Sequence, residues 1–167
     1  MTKLIAVVVS AAALTAAFAG GASAAKPIRN PADGPPLLDF PAGMVCPFPV
    51  VAEALENRQT ETVFSNGDIV YTGFFLTRVT NVANGASLTL VSGGPVRLTP
   101  GPITTQITSN GPIIFFFFPG DAGPGDNNMG RTYFFRGRTE TVADSETFAF
   151  NSFAYTGKAD DLCTALA

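Results

Sequence analysis

From residue 45 to residue 155 the chain consists of short apolar runs separated by turn-forming residues. "SLTLVS" and "VRLT" alternate apolar and polar positions, the period-2 pattern of half-buried antiparallel strands. Val, Ile, Thr, Phe and Tyr are frequent, and Gly, Asn and Pro interrupt the runs. "TETVF" and "DIVYTGFF" flank "SNG", "LTRVTNV" and "ASLTLVS" flank "ANG", and "PVRLT" and "ITTQIT" flank Pro-Gly-Pro. Asn-Gly recurs at 66–67, 84–85 and 110–111. Both residues tolerate positive φ, so each pair predicts a hairpin turn. "VCPFPVVAE" predicts the first strand. Pro47 and Pro49 remove two amides on one side of it, which predicts a sheet edge. "GRTYFFRGRTETV" and "ETFAFNSFAY" predict the last long pair.

Only "KADDLCTALA" reads as helical. Asp160 and Asp161 suit a first turn, and Leu162 and Leu166 fall on one face. The pattern therefore predicts an all-β fold: an antiparallel sandwich or barrel of about eight to ten strands with a short C-terminal helix.

One run breaks the alternation. In "PIIFFFFPG", residues 112–120, two isoleucines and four phenylalanines are consecutive, so a strand there is apolar on both faces. Phe115 and Phe117 point one way, Phe116 and Phe118 the other. One face is expected on the core and the other under the chain's own termini. Fourteen of the fifteen phenylalanines lie after residue 24. With Phe134 and Phe135, this run is the candidate apolar surface. It is read first as a phenylalanine-filled core. The alternatives are a ligand cavity in a barrel or an exposed patch for a partner.

The remaining segments set the boundaries. Lys3, the uncharged stretch 4–18 and the small residues Ala22-Ser23-Ala24 predict a signal peptide over 1–24, cut before Ala25. No second long apolar run follows, so a secreted extracellular protein without an integral anchor is expected. Residues 25–43 hold five prolines and are expected as an extended arm, with "LLDF" able to dock on the body. Residues 44–167 are the expected β-domain.

Removing 24 of the 167 residues leaves nine basic and thirteen acidic groups and no basic cluster, so nucleic acid is not an expected partner. A protein or an apolar ligand remains. The two cysteines, Cys46 and Cys163, predict a disulfide in an exported chain; two free thiols or a metal pair are the alternative.

Chemistry is constrained mostly by what is missing. The chain has no histidine, which removes Ser-His-Asp and Cys-His catalysis and most catalytic zinc sites. No phosphate loop or dinucleotide fingerprint occurs, and no cofactor, metal or catalytic residue is expected. A carboxylate pair could in principle hydrolyse a glycoside, but thirteen acids always permit some pair, and the chain has no tryptophan. "PGDAGPGDNNMG" is the candidate binding loop. Asp121, Asp126, Asn127 and Asn128 offer hard oxygen donors, but also serve as ordinary turn residues. Arg131, Arg136 and Arg138 stand among aromatics and are read mainly as a solvated strand face.

"FPAGMVCPF" at 40–48, "TNVANG" at 80–85, "FPGD" at 118–121, Gly130-Arg131 and "GKADDLCTAL" at 157–166 resemble a group of small exported actinobacterial proteins. That group shares a cysteine near the first strand, a Thr-Asn turn, a Pro-x-Asp loop and a C-terminal Asp-Leu-Cys-x-x-Leu. The resemblance spans 40–166. It implies an exported β-domain with one disulfide and, since the group has no assigned activity, no function. The phenylalanine run is heavier here than in the group.

The sequence therefore favours a secreted, non-enzymatic interaction or binding module. A carrier of a hydrophobic small molecule is the alternative and requires a cavity of roughly 300 Å³ or more. A carboxylate hydrolase is third.

Overall fold

The computed structural model describes residues 25–34, 36–125 and 128–167. The expected signal peptide lies outside the described residues. Among those described, no helix is long and apolar enough to cross a membrane.

Among the described residues eleven strands form two antiparallel sheets, with one short helix after the last strand. The strands are β1 (Ile28–Pro31), β2 (Leu37–Phe40), β3 (Val50–Asn57), β4 (Thr60–Val63), β5 (Ile69–Thr72) and β6 (Phe74–Asn81). There follow β7 (Ser87–Gly93), β8 (Val96–Pro100), β9 (Thr104–Phe117), β10 (Arg131–Asp144) and β11 (Phe150–Asp161); α1 is Leu162–Ala165. The larger sheet runs β1-β4-β5-β8-β9-β10-β11 and the smaller β2-β3-β6-β7. This is the sandwich that the alternation predicts.

The hairpins expected around residues 66–67, 84–85 and 100–102 form as read: Val63 pairs with Ile69, Thr80 with Ser87 and Pro100 with Thr105. Four expectations are corrected. The segment read as an extended arm supplies an edge strand to each sheet, β1 and β2, which raises the strand number to eleven. The strand after Pro47 and Pro49 starts only at Val50. It lies inside its sheet, between β2 and β6, because both prolines precede it, Pro47 in a bend, and remove no ladder amides. The helix is one turn, since β11 continues through Asp161; Asp160 pairs with Arg136 across the strands instead of opening a helix. Asp161 is the N-cap and accepts the Thr164 amide.

The fourth correction concerns Asn110-Gly111, which is no turn. It lies within β9, where Gly111 has φ +122° and faces Gly137 of β10, with φ +144°. A Cβ on Gly137 would stand 2.1 Å from the carbonyl oxygen of Thr156. Only glycine fits there, and the positive φ it permits bends the strand. Gly137 in turn faces Gly157 of β11. The three glycines form a crease across the sheet. In line with it, β5 passes into β6 at Gly73 and β7 toward β8 at Gly94, so those strands change sheets where the long ones bend.

The crease covers the phenylalanine run. On one face, Phe116 and Ile114 of β9 and Phe134 of β10 pack with Phe40, Val50, Ala52, Val79, Leu162 and Leu166. The arm does dock here: the Phe40 ring lies 4.9 Å from that of Phe116. On the other face, Phe115, Phe117 and Phe135 meet Phe150, Phe153 and Tyr133 in a second cluster. That face is covered by the sheet bent over itself, and the termini cover only the first. Phe148 lies between β10 and β11 with φ +60° and is 70% exposed.

A disulfide joins Cys46 to Cys163, with Cα atoms 5.4 Å apart. Both cysteines are buried. It ties α1 to the loop before β3. Nearby, the Asn81 and Asn84 side-chain amides both donate to the carbonyl of Leu166.

Candidate functional site

The inner face of the smaller sheet tapers along its length. β3 points Val50, Ala52 and Ala54 inward, so its side chains shrink along the strand. β6 turns Phe75, Thr77, Val79 and Asn81 inward, and β7 turns Leu88, Leu90 and Ser92. Where Val50, Val79 and Leu88 lie, the space is filled by Phe40, Phe134 and α1. At the other end Ala54 faces Thr77 directly and Phe75 faces Ser92. Ala54, Thr77 and Ser92 are too small to fill the gap beneath Ile114 and Phe116 of β9.

The result is a pocket of about 240 Å³ between the sheets. Leu38, Ala52, Ala54, Phe75, Ile114 and Phe116 make most of its wall, and Gln59, Thr77 and Ser92 contribute polar atoms. It falls short of the roughly 300 Å³ expected of a carrier and of the clefts that enclose drug-sized ligands, which counts against the carrier alternative and leaves room only for a smaller molecule. Among the described residues no charged side chain lines it.

Thr77 is 5% exposed and Ser92 9%, and neither hydroxyl has a hydrogen-bond partner among the described residues. The other buried polar groups differ. The Asn81 carboxamide holds Leu166 and Ala83, Ser109 bonds Thr139 at 2.6 Å, and Thr132 donates to the Val45 carbonyl at 2.9 Å. Among the described residues no fully buried side-chain oxygen or nitrogen lacks a partner, so these two oxygens keep access to the pocket, where a ligand can bond them.

The residues singled out from the sequence are placed as follows. Phe115, Phe117 and Phe135 are interior to the second cluster, Phe134 is in the main core, and Phe118 is exposed beside Phe40. Only Phe116 of that set lines the pocket. In the candidate loop, Asp121 is buried and its carboxylate accepts the amides of Phe118 and Phe150, at 2.8 and 2.9 Å. It clamps the end of β9 to the start of β11. Asp126 and Asn127 lie outside the described residues, and Asn128 is exposed. No cluster of three metal-ligating side chains occurs among the described residues. Arg136 and Arg138 are exposed and paired with Asp160 and Glu140.

Elsewhere, a concavity of about 250 Å³ on the β9–β11 surface includes Gln106, Thr108, Glu140 and Ser152. Neither concavity brings two carboxylates together. At one end of the molecule, Ile103 is 73% exposed and tied to the Phe148 turn, because Ser145 donates its amide to the Ile103 carbonyl. The Asp144 carboxylate organises that turn. It accepts the backbone and hydroxyl of Thr147 and the amide of Glu146, and these bonds hold its pKa below the usual value.

Sequence reading missed Ala54, Thr77 and Ser92. A signal was present: Thr77 and Ser92 are polar at inward-phased positions, between Phe75 and Val79 and after Leu88 and Leu90.

Comparison of the chain with protein-family models, curated proteins and solved structures gave no match.

Proposed function

We propose that this chain is an exported, non-enzymatic β-domain that acts by binding, and that the pocket between the sheets is its site for a small, mostly apolar molecule. The observation that carries this reading is the pair of hydroxyls at Thr77 and Ser92, on largely buried residues and without a protein partner among the described residues, that open onto a mostly apolar pocket. The size of the pocket favours a ring or short chain over a lipid. Kinship with the exported group that the sequence resembles belongs to the same proposal. The test is an NMR titration of the full chain from residue 25 with phenol. Saturable binding that Ala54→Phe abolishes by filling the pocket is expected. Binding unaffected by Ala54→Phe would refute it. Export is tested by sequencing the N-terminus of protein from culture medium, where a start at Ala25 is expected.

A second reading rests on the exposed pair Ile103 and Phe148, a hydrophobic tip of the kind that anchors a protein partner. Loss of partner capture on Ile103→Ser, with stability unchanged, would favour it.

A further inference from the structure

We infer that the pocket selects uncharged ligands bearing one hydrogen-bonding head, a hydroxyl or a carbonyl, on a compact apolar body. This rests on the pocket being the binding site and names the ligand class.

Three observations define that class. The first is charge. The wall holds no Asp, Glu, Lys or Arg among the described residues, so an ionised ligand would lose its hydration without gaining a counter-charge. The second is the position of the polar atoms. Thr77 and Ser92 are at least nine-tenths buried, on the inward faces of adjacent strands. They occupy the end of the smaller sheet where Ala54 leaves room, the end at which Asn57 and Gln59 also line the pocket. The opposite side, Ile114 and Phe116, is apolar. A ligand is thus polar at one end only. A hydroxyl both donates and accepts, so the pair serves an alcohol, a phenol or a ketone equally. The third is size. A dry cavity of about 150 Å³ holds benzene. A pocket of about 240 Å³ holds a single ring with a few substituents.

The experiment compares three probes of nearly equal shape at pH 7: phenol, toluene and benzoate. Dissociation constants are measured by NMR titration on the wild-type chain and on Thr77→Val, Ser92→Ala and Ala54→Phe, with thermal unfolding of each variant as a fold control. Thr77→Val and Ser92→Ala are each expected to weaken phenol by about 3- to 10-fold, the worth of one neutral hydrogen bond. Toluene affinity is expected to stay the same or rise. Benzoate is expected to bind the wild type at least about 10-fold more weakly than phenol.

Equal effects of the two hydroxyl variants on phenol and toluene would overturn the ligand class while leaving the pocket as the site. Benzoate binding as tightly as phenol would do the same. Absence of all binding, or Ala54→Phe binding phenol and toluene normally, would overturn the pocket itself. If Ala54→Phe does not fold, wild-type shift changes on adding phenol decide the point: at Ala54, Thr77 and Ser92 they support the site, and elsewhere they exclude it.

Discussion

The Phe153 ring stands edge-on to the Phe117 ring, with centroids 4.9 Å apart and planes at 89°, although both residues belong to the same sheet. Phe117 is level with Arg131 of β10 and Phe153 with Thr141. In a flat sheet those levels are ~33 Å apart. The bend at Gly111, Gly137 and Gly157 closes that distance. Gly137→Ala is therefore expected to cost about 3 kcal/mol or more in urea unfolding, because its Cβ meets the Thr156 carbonyl at 2.1 Å and its φ is positive. Gly85→Ala has positive φ but open space around the new Cβ, and about 1–2 kcal/mol is expected. Equal costs at the two positions would rule out the crease as the element that closes the second aromatic cluster.

The Cys46–Cys163 bond closes a loop spanning 117 residues. Chain entropy gives about 4–5 kcal/mol for such a loop. Denaturant unfolding with and without reductant should differ by an amount approaching this. Mass spectrometry of the native protein should find no alkylatable thiol. Two reactive thiols in unreduced protein would contradict the bond.

Asp121 serves the fold. Its two oxygens each take one amide, from Phe118 and Phe150. Asp121→Ala removes two charge-assisted hydrogen bonds and should cost about 3 kcal/mol. Amide exchange at Phe118 and Phe150 should accelerate ahead of exchange in the β3–β6 ladder. Uniform acceleration everywhere would mean that the clamp is not local.

A pH effect is expected from Tyr71. Burial, and then the hydrogen bond to Glu61, push its pKa up to about 12. An unfolded tyrosine titrates near 10. Between those values the unfolded chain releases the proton first and so binds fewer protons than the folded one. Stability from this group is therefore complete below pH ~10 and is lost as pH rises toward ~12. Urea midpoints for wild type should fall relative to Tyr71→Phe over that window. Parallel curves would show that Tyr71 titrates normally.

The sheet class was legible because alternation and turn residues act locally. Asn66-Gly67 and Asn84-Gly85 gave their hairpins, and the cysteine pair gave its bridge. What escaped was non-local. Asn110-Gly111 has the same local preference as the true turns, and only its register opposite Gly137 makes it a crease. Phe115 and Phe117 read as needing a lid because the bend that supplies one is not written beside them. The pocket was hidden for a similar reason: Ala54 looks innocuous until β3 is placed under β9. The motifs that suggested kinship also proved architectural. Asn81 and Asn84 hold Leu166, Asp121 clamps Phe150, and a Cβ on Gly130 would strike the Met44 carbonyl beside the disulfide loop.

The most direct test of binding through the inter-sheet pocket is thermal unfolding of wild type and Thr77→Val, each with and without phenol. Replacing the Thr77 hydroxyl, which opens on the pocket, with a methyl should leave the free protein within about 1 kcal/mol of the wild type. Phenol should raise the melting temperature of the wild type through binding to the folded state, and raise that of Thr77→Val less. No stabilisation of the wild type by phenol, or equal stabilisation of both proteins, would contradict the account.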